Sequence, residues 1–285
     1  MVSNENRHRW TLIIRPVSGW FNFNLGEVWH YRDLIKLFVR RDFVAVYKQT
    51  ILGPIWYLLQ PLMMTMVFTI VFGKIANIPT EGLPHSLFYL SGIVMWRYFA
   101  DCLEKTSNVF VTNARIFGKV YFPRLAVPLS VVISNLIAFA IQLALFVGFW
   151  IYFYLKGSNI QLHFTVLLMP LLVLQMAALG LGCGIIVSSL TTKYRDLTQL
   201  VGFGVQLWMY ASPVVYPSSI IPEKYNWLMA LNPMFSIIET FRFVLLGTGA
   251  VSIGNMMTSA ILTLLILFFG VVLFSRIEKS FMDTV

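Results

Sequence analysis

The residue types that usually carry catalysis are sparse in this sequence and stand far apart. The four histidines and two cysteines lack the spacing of a metal site, and neither an HExxH motif nor a phosphate-binding P-loop motif occurs. Only Asp101 and Glu239 are acidic candidates within apolar surroundings, whereas ion-coupled carriers commonly hold acids inside their spans. The sequence therefore predicts no catalytic residue, metal site or cofactor in this chain, and an energy source that lies elsewhere.

A cluster of cations, Arg40, Arg41 and Lys48, precedes the first apolar run. The segment before them has apolar residues at the spacing of one helix face, at Tyr31, Leu34, Ile35 and Phe38. A basic amphipathic helix beside a membrane span is expected in the lipid interface, with its cations at the headgroups. We therefore predict an interface helix over 29–49, with a turn that completes the segment 29–53. The alternative is an anchor that only sets topology.

Long stretches without a charged residue dominate the rest of the sequence. Only 12% of the residues are charged and 58% are hydrophobic, whereas soluble proteins average about 25% charged residues. Five charge-free stretches are each long enough for a spanning helix: 49–73, 125–155, 157–192, 197–222 and 243–275. A sixth apolar run begins near Ser86 and contains charges. The sequence thus predicts an all-α polytopic membrane protein with six transmembrane helices.

The lysines and arginines are distributed unevenly around these six predicted spans. If both termini are cytoplasmic, sixteen of the 21 lie on the inner side and four on the outer side, as the positive-inside rule requires. Topology therefore explains the net charge of +9, and nucleic acid is not an expected partner. Residues 1–28 are predicted to form a cytoplasmic arm, and residues 54–285 the transmembrane domain.

Two features within the predicted spans indicate how helices pack. Arg97 and Asp101 are four residues apart and can pair on a helix face that is turned toward protein or water. The glycines of 179–184 lack the strand–turn–helix setting of a nucleotide loop, so they predict close helix contact instead. Cys102 and Cys183 are expected to be small packing residues rather than a disulfide.

The region from 217 to 246 fits neither a loop nor a span. Prolines and charged residues separate its short apolar runs, such as 227–231. Apolar segments of this length are typical of re-entrant or interfacial helices. We therefore predict re-entrant helices between the fifth and sixth spans.

Four motifs in this order resemble those of ABC-2-type polysaccharide exporter membrane subunits. The first is residues 47–56 (YKQTILGPIW) with 59–61 (LQP), and the second is residues 119–124 (KVYFPR) followed by a span. Residues 212–216 (SPVVY) and 231–234 (LNPM) are similar to segments of the family's outer gate. The likeness covers nearly all of residues 30–280 and is nearest to O-antigen permeases, with capsule and teichoic-acid permeases as relatives.

This resemblance implies that the protein works in an assembly, a homodimer in the bacterial inner membrane that binds two copies of a separate ATPase subunit. The ATPase subunits would hold ATP and Mg²⁺. Residues 54–285 would be the ABC-2-type transmembrane domain, and residues 218–246 the periplasmic gate helices. The substrate would be a lipid-pyrophosphate-linked polysaccharide, taken up from among the membrane lipids.

The resemblance also implies roles for three groups of residues. The headgroup gate would comprise Arg40, Arg41, Lys48, Leu52, Gly53 and Pro54, and arginine suits a phosphate ligand. The ATPase-coupling segment would comprise Arg115, Gly118, Lys119, Tyr121, Phe122, Pro123 and Arg124. The periplasmic gate would comprise Pro213, Tyr216, Asn232, Pro233, Glu239 and Arg242.

Aromatic residues make up 15% of the chain and could line a path for sugars, because sugar rings stack on aromatic faces. The candidates are Trp56, Tyr57, Phe68, Phe72, Tyr89, Trp96, Tyr98 and Phe99. The alternative is the ordinary enrichment of tryptophan and tyrosine at membrane interfaces.

The expected function is therefore a permease subunit, not an enzyme, of an ATP-driven exporter of lipid-linked, O-antigen-like polysaccharide. Two alternatives remain open at this stage. One is an ABC-2 exporter of lipids or drugs, and the other is a membrane enzyme that acts on lipid-linked sugars.

Overall fold

A computed structural model of the protein describes residues 25–48, 52–117, 119–120, 122–158, 160, 164–191, 196–249 and 252–281. Over these residues the chain is helical and contains no strand, which confirms the predicted all-α class. The cytoplasmic arm predicted at 1–28 lies outside the described residues as far as residue 24. Its last four residues already belong to the first helix.

The predicted interface helix forms two helices, α1 (Leu25–His30) and α2 (Arg32–Lys48), because the chain turns at Tyr31. The apolar face read from the sequence is the packed face, since Phe38 is buried and Leu34 and Ile35 are half-buried. Arg32, Lys36 and Arg40 are exposed. The amphipathic character predicted for this segment is therefore confirmed.

Four helical stretches are long and apolar enough to cross a membrane. They correspond to the predicted first, third, fourth and sixth spans: Ile55–Ile75, Ala126–Leu155, Thr165–Thr191 and Ile253–Arg276. The first consists of α3 (Ile55–Phe68) and a π-helix (Thr69–Ile75). The others contain α7 (Ala126–Leu155), α8 (Met169–Thr191), which follows a 3-10 turn (Phe164–Leu168), and α12 (Ile253–Phe281).

The other two predicted spans are helical but do not meet the same criterion. The helix α4 (His85–Ser107) is long enough, but its polar and charged residues make it less apolar than the others. The helix α9 (Leu197–Tyr210) has 14 residues, whereas about 20 are needed to cross a bilayer core. Length and composition alone therefore support four spans among the described residues, or five if one bent helix pair counts as a span.

That bent pair occupies the region predicted to be re-entrant. Residues Glu223–Ala230, which end in the short helix α10 (Asn226–Ala230), and α11 (Pro233–Leu246) meet at an angle of 104°. Two 3-10 turns lead into the pair, at Ser218–Ile220 and Glu223–Tyr225. The sharp bend follows from the sequence, because Pro233 cannot continue a preceding helix and Asn232 caps a new one.

The centre of the fold is α4, which packs against α3, α7, α8, α9 and α11. Glycines of α8 allow the helices to approach closely, as the sequence predicted. A Cβ atom at Gly180 would lie 2.7 Å from the Cβ of Cys102, and one at Gly182 would lie 2.9 Å from the backbone of Leu267 in α12. The glycines therefore allow α8 to pack closely between α4 and α12. They lie within a helix and not in a nucleotide-binding loop.

Candidate functional site

A cleft of ≈ 860 Å³ lies between α3, α4 and α9. Its walls are mostly apolar, and they are formed by Trp56, Leu59, Gln60, Pro61, Met63, Met64, Val67, Ile93, Trp96, Arg97, Ala100, Glu104, Gly202, Val205, Gln206 and Met209. The first residue of α3 that lines the cleft is Trp56, one residue after the helix begins. The turn that precedes α3 therefore sets the position of this wall. A cleft of this size can hold several sugar rings or a lipid chain.

The turn before α3 has the geometry that its sequence predicts. Gly53 is buried and has a φ of 46°, a left-handed conformation that glycine adopts without steric cost. The amide of Ile55 donates to the carbonyl of Leu52 at 3.0 Å, and the amide of Tyr57 donates to the carbonyl of Pro54 at 3.0 Å. The first turn of α3 is thus built directly on this Leu-Gly-Pro segment.

Two of the eight predicted aromatic residues line the cleft, Trp56 and Trp96. Trp56 is 50% exposed, whereas Trp96 is 5% exposed because it packs against Phe99 and Trp208. Four others are at most 3% exposed and pack helix against helix: Phe68, Tyr89, Tyr98 and Phe99. Tyr57 is half-buried, and the half-buried ring of Phe72 contacts that of Phe68. A channel-lining role for the four buried rings does not agree with their burial.

Polar groups are placed along the α4 wall of the cleft. The Nε of Arg97 lies 3.2 Å from Oδ1 of Asp101, so the ion pair predicted from their spacing is present. Glu104 lines the cleft one helical turn further on. Gln60 and Gln206 add amide groups from α3 and α9, and both are exposed. The wall therefore combines tryptophan faces with hydrogen-bonding groups.

The cations predicted at the headgroup gate lie on an exposed side of α2. Arg40 and Lys48 are exposed. Arg41 is held by two contacts within α2, because its Nη2 lies 2.8 Å from Oδ1 of Asp42 and its guanidinium lies over the ring of Phe38. Residues 49–51 of the resembling motif lie outside the described residues. Of the three predicted cations, Arg40 and Lys48 are therefore the more available to an anionic ligand.

The predicted coupling segment is partly described. It begins within the one-turn helix α6 (Ala114–Phe117), which follows another one-turn helix, α5 (Val109–Thr112), and Gly118, Tyr121 and the side chain of Arg115 lie outside the described residues. Lys119 is exposed and Pro123 is half-buried. Phe122 and Arg124 are buried, at 5% and 6% exposure. These two residues thus pack inside the chain.

The packing of Phe122 links this segment to the interface helix. Its ring lies 5.8 Å from that of Phe38 in α2 and 5.7 Å from that of Phe117 in α6. The Arg124 guanidinium lies over Phe117 at 5.7 Å. An aromatic contact therefore joins the predicted coupling segment to α2.

The residues predicted for the periplasmic gate converge on two hydrogen-bonding centres, of which the buried Arg242 is the first. It is 1% exposed and donates from Nε to Ser91 Oγ at 3.1 Å and from Nη2 to the carbonyl of Val214 at 3.1 Å. Its Nη1 lies 3.4 Å from Glu239 Oε1, and Glu239 Oε2 accepts from Ser218 at 2.7 Å. Arg242 therefore joins α11 to α4 and to the segment after α9.

The second centre is Asn232, at the bend before α11. Its Oδ1 accepts from the amide of Met234 and from Trp208 Nε1, both at 3.1 Å. Its Nδ2 donates to Ser212 Oγ at 2.9 Å and to the carbonyl of Ala211 at 3.2 Å. Asn232 thus uses all four of its hydrogen-bonding positions and fixes α11 against the end of α9.

The remaining predicted gate residues surround these centres. Pro213 and Pro233 are buried, and Tyr216 is half-buried. Burial raises the pKa of the Tyr216 phenol, and the carboxylate of Glu239 adds to that increase. The structure therefore brings the six predicted gate residues into one region at the end of α9, where the cleft wall at Met209 also ends.

Comparison with known proteins identifies the family to which a chain with this site belongs. The model of the family described as ABC-2 type transporter matches residues 33–246. The chain belongs to this family. Because the family is one of transporters, the expectation of a permease rather than an enzyme is confirmed. The matched residues include α2, the whole cleft and the bent helix pair.

Relatives of this ABC-2 transporter chain are similar over most of their length. One O-antigen export system permease protein RfbA of Klebsiella pneumoniae is 26% identical over 261 residues, which is 92% of this chain and 97% of the relative. A second RfbA protein of K. pneumoniae is 29% identical over 220 residues, 77% of this chain and 82% of the relative. The RfbA protein of Myxococcus xanthus is 25% identical over 261 residues, 91% of this chain and 98% of the relative.

Several residues of the ABC-2 transporter site were not predicted from the sequence. Gln60 and Gln206 line the cleft, and Trp208, Ser91 and Ser218 complete the gate contacts. Only Gln60 carried a signal, since it lies within the LQP motif. Trp208 and Gln206 occupy a charge-free stretch, where a single sequence does not show which face of the helix meets α4.

Substitution of Gly53 by alanine is expected to destabilise the ABC-2 transporter chain by about 1–2 kcal/mol, because a Cβ disfavours the left-handed conformation. The apparent unfolding temperature of the detergent-purified protein measures this effect. Gly26→Ala is the matched control, since its site in α1 is open and its φ is not positive. Equal stability of the Gly53 variant and the wild type would contradict the argument.

Proposed function

We propose that this chain is the permease subunit of an ATP-driven exporter that moves lipid-linked, O-antigen-like polysaccharide across the bacterial inner membrane. The observation that carries the proposal is the cleft, which combines two tryptophans with amide and charged groups in a chain of the ABC-2 family. The relatives named O-antigen export permeases support it, because the likeness extends over nearly their whole length. ATP and Mg²⁺ are bound by a separate ATPase subunit.

The proposed topology has six crossings, two cytoplasmic termini and a re-entrant pair made of α10 and α11. The ion pair of α4 supports its crossing, because Arg97 and Asp101 face the cleft or protein instead of lipid. For α9, the chain continues beyond the 14-residue helix through the buried residues 212–215, which form a turn. The uneven distribution of lysine and arginine supports the orientation.

The proposed assembly is a homodimer with two ATPase subunits. One copy forms a cleft with walls on α3, α4 and α9, so a second copy that faces it would close a channel for the glycan. Lys119, together with the undescribed residues of 115–124, would contact the ATPase, and the buried Phe122 would pass its movement to α2. The lipid-pyrophosphate end would bind at Arg40 and Lys48.

A second candidate is an ABC-2 exporter of a lipid or a drug. The apolar part of the cleft, with Met63, Met64 and Val67 on α3, favours it because such a surface also suits an acyl chain. The polysaccharide proposal accounts better for the tryptophans and the two glutamines on the same walls.

The decisive experiment is co-expression of this chain with the ATPase encoded beside it. We expect the chain alone to be inert and the purified complex to hydrolyse ATP, while deletion of the chain removes surface polysaccharide and leaves lipid-linked glycan inside the cell. Turnover of a lipid-linked sugar by the chain alone, without a bound partner, would establish the enzyme alternative. Loss of a drug-resistance or lipid phenotype with normal surface polysaccharide would establish the second candidate.

Neutralising the exposed cations of α2 with the double substitution Arg40→Gln and Lys48→Gln is expected to reduce export severalfold, because a pyrophosphate group loses two electrostatic partners. Surface polysaccharide and co-purification of the ATPase are measured together. The matched control, Lys74→Gln with Lys224→Gln, removes two exposed cations, one at the last turn of the first span and one in the 3-10 turn before α10. An equal loss of export in both variants would contradict a specific headgroup role.

A further inference from the structure

The cleft contains few charges, and their arrangement is uneven. Among the residues that line it, Arg97 and Glu104 are the charged ones, and both belong to α4. The cleft-lining residues of α3 and α9 are uncharged. The electrostatic character of the cleft is therefore set by one helix.

The positive charge on this helix is compensated locally. Arg97 is 39% exposed and its Nε is 3.2 Å from Asp101, which is 13% exposed, so the cation carries its counter-ion with it. A paired guanidinium attracts an additional anion much less than an unpaired one does. The pair is therefore close to neutral for a ligand that passes along the wall.

The carboxylate of Glu104 has no counter-ion of this kind among the described residues. Glu104 is three residues after Asp101, and no ion pair joins it to the described part of the chain. The adjacent cation Lys105 is directed to another helix, because its Nζ donates to Asn135 of α7 at 2.7 Å. Of the two charged residues that line the cleft, Glu104 is thus the one without an ion-pair partner among the described residues.

We infer that this cleft selects an uncharged polysaccharide and rejects polymers that carry a carboxylate or phosphate in each repeat. The inference rests on the proposed function and specifies its substrate class. Walls of low dielectric strengthen the repulsion between Glu104 and an anionic sugar, and a second copy of the chain doubles the number of such carboxylates along the path. Neutral sugars avoid this cost and still use the tryptophan faces and the amides of Gln60 and Gln206.

The position of the exposed cations of α2 agrees with the inference. Arg40 and Lys48 are exposed on α2, outside the set of residues that line the cleft. The chain thus offers positive charge for a phosphate group before the cleft and excludes unpaired positive charge from the cleft itself. Rejection of the wrong polymer by a fixed like charge is a known route to specificity.

The test uses a bacterial strain without its own polysaccharide exporter, complemented with this chain and its ATPase. The strain makes either a neutral lipid-linked homopolymer or a lipid-linked polymer with one uronic acid per repeat. The ratio of the surface amounts of the two polymers is measured, normalised to their cytoplasmic pools. We expect the ratio to favour the neutral polymer by about tenfold or more.

Variants of the wall make the test specific. Glu104→Gln keeps the size of the side chain and is expected to shift the ratio toward the acidic polymer, and Glu104→Lys to shift it further. Arg97→Gln leaves Asp101 without its counter-ion and is expected to shift the ratio the other way. Asp196→Asn removes an exposed carboxylate next to α9 and outside the cleft lining, and it serves as the control, with no change in ratio expected.

The outcomes separate this inference from the proposed function. Export of both polymers at equal rates, or a ratio that Glu104→Gln does not move, overturns the charge selection and leaves the polysaccharide exporter intact. Export of neither polymer by a complex that assembles and hydrolyses ATP overturns the proposed function, and the inference with it.

Discussion

Replacement of Arg242 by methionine is expected to be among the most damaging single changes in this chain. The substitution leaves Glu239 buried, at 3% exposure, without its cationic partner, and it removes donors to Ser91 and to the carbonyl of Val214. Breaking a buried ion pair on one side costs about 3–5 kcal/mol. We therefore expect a large fall in the unfolding temperature of the purified protein, or loss of folded protein from the membrane.

Two further variants test the cause of this loss. In Arg242→Met with Glu239→Gln no unpaired charge remains, so part of the lost stability should return relative to Arg242→Met alone. Lys224→Met removes an exposed cation near the same bend and should change the stability little. If the double variant is no more stable than the single one, the loss of stability comes from the lost hydrogen bonds of Arg242 rather than from the loss of the ion pair with Glu239.

The gate residues were named from the resemblance to ABC-2-type exporters. The structure gives their local geometry, because Asn232 and Pro233 begin α11, and Glu239 and Arg242 lie three residues apart on that helix. The partners in other segments, Ser91 and Val214, required the fold, because 151 and 28 residues separate them from Arg242. The resemblance thus pointed to the centre of the network but not to its connections.

The aromatic residues were harder to place because α4 is surrounded by other helices. Tyr89, Tyr98 and Phe99 would suit a sugar path by residue type, yet each lies in a helix–helix contact. Periodicity shows which face of a helix is apolar only when the opposite face is polar. A central helix is apolar on several faces, so the side of α4 that faces the cleft is revealed by its charged residues, Arg97 and Glu104.

The number of membrane spans was also only partly predictable from the sequence. Charge-free stretches predicted four spanning helices that the structure contains, since length and apolar composition are read directly from sequence. The polar content of α4 and the short length of α9 were not resolved by counting charge-free residues. Two of the three helices that form the cleft, α4 and α9, are therefore the ones that depart from an ordinary span, whereas α3 meets the criterion.

Obstruction of the cleft is the second change for which we expect a large effect. Gly202 lines the cleft from α9, it is exposed, and a Cβ atom built on it meets no other atom within 4 Å. A tryptophan at this position can therefore extend into the cleft without displacing the core. Two copies of the chain would place two such side chains in the same path. We expect Gly202→Trp to reduce export to background while the complex still assembles.

Gly204 supplies the matched control for this substitution. It lies on the same helix, is exposed, and also has open space around its Cβ position, but it does not line the cleft. Gly204→Trp therefore makes the same chemical change and should retain most of the export. Surface polysaccharide, ATPase co-purification and ATP hydrolysis are measured for both variants. Normal export by Gly202→Trp would show that the substrate does not pass between α3, α4 and α9.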